Sequence, residues 1–104
     1  MQIIFSRQIA DELRDRYTVL ELETFTVQDQ ILETFCVVPA EKLIFSGMEH
    51  LADHIRMHEE FIEQLKQKNY KFCVDAIEHL MGKFGGEIDS FYEIVLERCN
   101  KNLT

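Results

Sequence analysis

The sequence is poor in the residues that break or stitch a chain. It has one proline (Pro39), four glycines and no tryptophan. That scarcity excludes collagen-like repeats and argues against disorder and long flexible linkers. Cysteine is limited to Cys36, Cys73 and Cys99. The number is odd, the spacing wide, and no CxxC is present, so neither a disulfide framework nor an all-cysteine zinc site is expected. All three lie in apolar segments, which predicts buried, reduced thiols and a reducing compartment. No stretch approaches the roughly 18 apolar residues of a membrane span. The opening MQIIFSRQIADEL lacks the apolar core of a signal peptide. The expectation is a cytoplasmic chain with no membrane partner.

Cations are also scarce. Eleven Lys and Arg stand against nineteen Asp and Glu, giving a net charge of −8. Such a chain repels a phosphate backbone unless its cations cluster. The one basic group, Lys66, Lys68 and Lys71, has the composition of a helix C-terminus, where cations complement the dipole. Nucleic acid is therefore not an expected partner.

Apolar residues make up 46% of the chain, enough for a core in one domain spanning 1–104. The patterning divides near Ser46 and predicts an α+β fold, β-rich over 1–46 and helical over 47–104. Gln2 to Phe5 reads as a short strand. Ser6 is a suitable N-cap for a helix from Arg7 to Arg16, with Ile9, Ala10, Leu13 and Tyr17 at helical spacing. Thr18–Val27 and Ile31–Val38 are rich in β-formers, with a hairpin loop at Gln28–Gln30. Lys42–Phe45 is expected to add a third strand, completing a bent antiparallel meander over 18–46. Leu20 and Leu22 alternate on one face, whereas Phe25 and Val27 fall in the opposite phase. A strand has period two, so this slip predicts a bulge or sharp coil near Glu23 and Thr24, or cover on both faces at different points. In element order and strand bending the front half resembles the start of Sm-like small barrels. The resemblance implies an alternative architecture, a small open barrel with a helical C-terminal extension.

Three helices are expected behind the strands, packed on or beside the sheet: Gly47–Lys68, Tyr70–Phe84 and Glu87–Asn100. Met48, Leu51, Ile55, His58, Ile62 and Leu65 step by three and four along the first and form a narrow heptad seam. Gly85 and Gly86 suit a helix stop. Ser90 and Glu93 have the spacing of a capping box, which would start the last helix nearer Ser90.

The sharpest chemical constellation is His50, His54 and His58, at i, i+4 and i+8. Adjacent pairs could ligate a transition metal. The same spacing equally describes one imidazole at the core edge and two drifting toward solvent. No HExxH follows, and the ExxH spacing of di-iron bundles is missing. Asp75, Glu78 and His79 share a helix region but fit a solvated face. The GKFGGE run at 82–87 lacks the P-loop pattern and follows a helix, so a turn is expected. With no catalytic motif in view, an enzyme is not expected.

Three functions are consistent with these residues. The first is a non-enzymatic interaction or assembly module that self-associates or binds a protein, through strand edges or through Met48, Leu51, Ile55, Ile62 and Leu65. The second is a metal site on His50, His54 and His58. The third is an acidic regulator or decoy of a basic nucleic-acid-binding protein, its charge supplied by Glu49, Asp53, Glu59, Glu60 and Glu63. The size and acidity suit a phage or bacterial accessory protein.

Overall fold

The computed structural model describes residues 2–44 and 48–103, without the side chains of Ile44 and Met48. Its elements are β1 (Gln2–Ile4), α1 (Arg7–Leu13), β2 (Thr18–Val27), β3 (Gln30–Val38), α2 (Ala40–Ile44), a 3₁₀ turn (Met48–His50), α3 (Leu51–Lys66), α4 (Tyr70–Leu80) and α5 (Asp89–Leu103). The fold is α+β, with an antiparallel sheet in the order β1-β3-β2.

The front half differs from the expected meander in one element. Ala40–Ile44 is a short helix, not part of a third strand. Pro39 fixes a helix-compatible φ at its start, its carbonyl accepts from the Lys42 N–H at 3.0 Å, and Ala40, Glu41 and Lys42 favour helix over strand. The third strand comes instead from the N-terminus, where β1 pairs with the free side of β3. Phe45, the pattern change at Ser46 and the expected helix start at Gly47 lie outside the described residues. The Sm-like alternative also falls: among the described residues the sheet is open, with β1 and β2 at its edges.

The phase slip in β2 is a bulge. Pairing runs as Glu21 with Phe35 and resumes as Thr24 with Glu33, so Leu22 and Glu23 together face Thr34. One extra residue reverses the phase of everything beyond it. Leu20 and Leu22 point into the helical layer, and Phe25 and Val27 are returned to that same face.

The sheet is covered on both faces, but only over its proximal half. Leu20, Leu22, Cys36 and Val38 pack with Phe61, Ile77, Leu80, Tyr92 and Val95 of the helices. On the opposite face Val19, Phe35 and Val37 close a smaller core with Ala10 of α1. This double cover explains why Phe35, Cys36, Val37 and Val38 are consecutively buried, a run that alternation alone would not produce. Ser6 caps α1, its Oγ accepting from the Ile9 N–H at 3.3 Å.

Helix α4 stops at Leu80, earlier than Phe84, and Gly82 takes φ +79° shortly after. Gly85, at φ +69°, has a different role. A Cβ there would stand 2.3 Å from the Lys42 carbonyl oxygen, so α2 and the turn can meet only at glycine. The last helix begins at Asp89, whose Oδ1 accepts from the Gly82 N–H at 2.9 Å.

Candidate functional site

The buried face of α3 places His58 at the junction of sheet and helices, fully enclosed. Its Nε2 lies 2.6 Å from the Glu21 carbonyl oxygen and its Nδ1 lies 2.7 Å from the Tyr92 hydroxyl. A carbonyl can only accept, which assigns the proton to Nε2. Nδ1 then accepts from the Tyr92 O–H. Burial is the main cause that pulls the His58 pKa down to about 4, and burial likewise pushes the Tyr92 phenol well above its ordinary value. Phe61 and Phe84 pack their rings against the imidazole at centroid distances of 5.8 and 6.1 Å. Both nitrogens of a neutral His58 are thus engaged in holding the bulged strand against α3 and α5.

The other histidines do not converge on it. His50 is exposed and His54 half-buried, with their ring centroids 6.3 Å apart. His54 packs edge-on to Phe84, and its Nδ1 is buried without a hydrogen-bond partner. Burial first, then Lys83 and His50, lower its pKa. Among the described residues no three His, Cys, Asp or Glu side chains are grouped to hold a metal ion.

The heptad seam turns inward. Ile62 and Leu65 belong to the main core, and Leu51 and Ile55 pack against it. The Met48 side chain lies outside the described residues. Asp75 pairs with Lys71 at 3.2 Å on the exposed face of α4. Lys66, from the basic group, reaches Glu21 at 2.9 Å.

A cleft of about 280 Å³ runs between β2 and α3 above His58, with Arg14, Glu59, Glu63 and Lys66 at its rim. Among its charges, Lys66 pairs with Glu21. Burial opposes ionisation of Glu21, but hydrogen bonds from Lys66 and Arg7 outweigh it and hold this carboxyl below its ordinary range. Arg7 also binds Glu33, lowering that carboxyl in turn, and stacks over Phe35 with its guanidinium carbon 5.1 Å from the ring centroid.

An uncovered apolar surface lies elsewhere, at the distal half of the β2–β3 hairpin. Thr24 to Val27 are all exposed, as are Gln30 and Ile31 across the turn. Ile31 is 74% accessible, Val27 54% and Phe25 45%. The register places Phe25 and Val27 on the helical face and Ile31 on the other, so this arm is apolar on both sides. Beside it an apolar groove of about 260 Å³ is lined by Ile3, Phe5, Phe25, Phe91 and Ile94. Its polar end is an ion pair: Arg98 donates to both oxygens of Glu23 at 2.6 and 2.7 Å.

The arm's residues did not stand out as a site in the sequence, because Phe25, Val27 and Ile31 read as ordinary strand residues. The available signal was the phase slip itself, since a bulge commonly redirects a strand away from the body it packs on. No family model, curated protein or solved structure matches this chain significantly.

Proposed function

We propose that this protein is a non-enzymatic interaction module whose contact surface is the distal β2–β3 arm and the adjoining groove. The observation that carries this reading is the exposure of Phe25, Val27 and Ile31 on both faces of one projecting hairpin. Isolated exposed apolar residues are ordinary on a protein surface, but apolar residues grouped about a groove, as Phe25 is with Ile3, Phe5, Phe91 and Ile94, are a mark of contact sites. The nearest acid–base candidate points the same way. Both nitrogens of His58 hold structure, and its low pKa leaves it neutral at pH 7, so its chemistry is that of a buried strut.

A photo-crosslinking residue at position 31, carried by the full chain in living cells, tests the reading. Adducts to a second copy or to another protein are expected at position 31. A matched probe at Glu78, on the exposed side of α4, should give none. Absence of any adduct at 31, or equal yields at both positions, contradicts it.

A further inference from the structure

The two halves of the β2 edge are treated differently. Along the proximal half, α3 supplies the cover: His58 donates to the outward carbonyl of Glu21, and Lys66 reaches the carboxylate of the same residue. Beyond the bulge this protection ends. Exposed strand edges are usually blunted by lysine, proline, a further bulge or a covering element. Thr24, Phe25, Thr26 and Val27 are exposed and include neither lysine nor proline.

The turn fixes which backbone groups face outward. Gln28 and Asp29 have φ of +51° and +66°, the pattern of a two-residue type I′ hairpin, closed by a hydrogen-bonded pair. That pair is Val27 with Gln30. Alternation then turns Phe25 toward β3 as well and leaves the N–H and C=O of Thr24 and Thr26 directed away from the sheet. These are donors and acceptors for another strand.

A second copy offers the same outward donors and acceptors at Thr24 and Thr26, and local charge does not oppose it. At −8, two copies repel over most of their surfaces. The edge from Thr24 to Gln28 carries no charge, and the carboxylates that precede it are held within the chain, Glu23 by Arg98 and Glu21 by Lys66 and Arg7. Along these residues a second acidic chain meets little local repulsion.

Resting on the interaction reading above, we propose that the occupant is a second copy of this chain, joined by antiparallel pairing of the two β2 edges about Phe25. Thr24 then pairs with Thr26 of the second copy, and Phe25 stands across from its own counterpart as a non-hydrogen-bonded pair, where side chains approach closely. The result is a two-fold, six-stranded sheet.

Sedimentation and directed disulfides on the full chain test this. The wild type is expected to show a concentration-dependent monomer–dimer equilibrium. Thr26→Pro, which removes an outward donor and no bond to β3, is expected to weaken dimerisation at least tenfold. Phe25→Lys, at an exposed position, should do the same, so the test survives if the proline variant fails to fold. Under mild oxidation Phe25→Cys should form a covalent dimer, and Val27→Cys, opposite Glu23, should not. Cys36, Cys73 and Cys99 are fully buried and should stay out of the reaction. A wild-type monomer at every concentration up to its solubility limit overturns the proposal. So does undiminished dimerisation of Phe25→Lys, or crosslinking at 27 in preference to 25. If the chain is monomeric while position 31 still crosslinks another protein, self-pairing fails and the interaction reading stands. If position 31 captures nothing, both fail.

Discussion

His58 ties three elements of the fold together in one side chain. It joins α3 to the bulged strand through Glu21 and to α5 through Tyr92. Replacing it with leucine leaves a carbonyl and a phenol to be satisfied elsewhere. The expected cost is about 2–4 kcal/mol in urea unfolding at pH 7.5. The pH dependence has a definite sign. In the unfolded chain the imidazole takes up a proton near 6.5, and in the folded chain only near 4. Its contribution is therefore complete above pH 6.5 and declines as pH falls through 6.5 toward 4, by roughly 3 kcal/mol in all. His54, also lowered, adds a smaller slope of the same sign. Denaturation between pH 7.5 and 4.5 should lose much of its pH dependence in His58→Leu while His54→Ala retains most of it. An unchanged slope in His58→Leu would remove this role. The sequence placed His58 on the apolar seam, and the structure agrees. Its partners were not legible, because Tyr92 lies 34 positions away on another helix and Glu21 takes part through its backbone.

At the scale of elements, the bulge organises the hairpin. Thr34, buried opposite it, donates its hydroxyl to the Glu23 carbonyl at 2.6 Å. Thr34→Val keeps the shape and removes that donor, and should cost about 1–2 kcal/mol by thermal or urea unfolding. A cost near zero would mean that the bulge carbonyl finds another partner. The turn beyond it is less favourable than it could be, since Gln28 and Asp29 both adopt left-handed φ. Changing the pair to Asn-Gly should stabilise the chain by about 1 kcal/mol, and a loss of stability would contradict the type I′ assignment. Strands β2 and β3, α1 and the three long helices were legible as elements because composition and period agree there. Even the bulge announced itself through the phase of Leu20, Leu22, Phe25 and Val27. Lys42–Ile44 misled because their apolar content looks strand-like, while Pro39, Ala40 and Glu41 begin a helix. The pairing of β1 with β3 was hidden because its partners, such as Ile3 and Cys36, are distant in sequence.

At the scale of the whole molecule, the chain is a sheet clamped proximally between α1 and the helical layer, with a distal arm left outside that clamp. Burial resolves the seam and the arm in opposite ways. The heptad pattern on α3, which looked suited to a partner, is used within the chain's own core, whereas plain strand residues of the hairpin are exposed. Because two acidic copies must approach, added salt should tighten self-association by screening their repulsion. A dimer that dissociates between low and high salt would indicate an electrostatic interface instead. Amide hydrogen exchange of the arm, followed with protein concentration, is the most direct test of the edge. With the edges paired, the Thr24 and Thr26 amides should slow as concentration rises, while Phe25 and Val27, bonded to β3, keep their rates. Exchange at Thr24 and Thr26 that is fast and independent of concentration would contradict it.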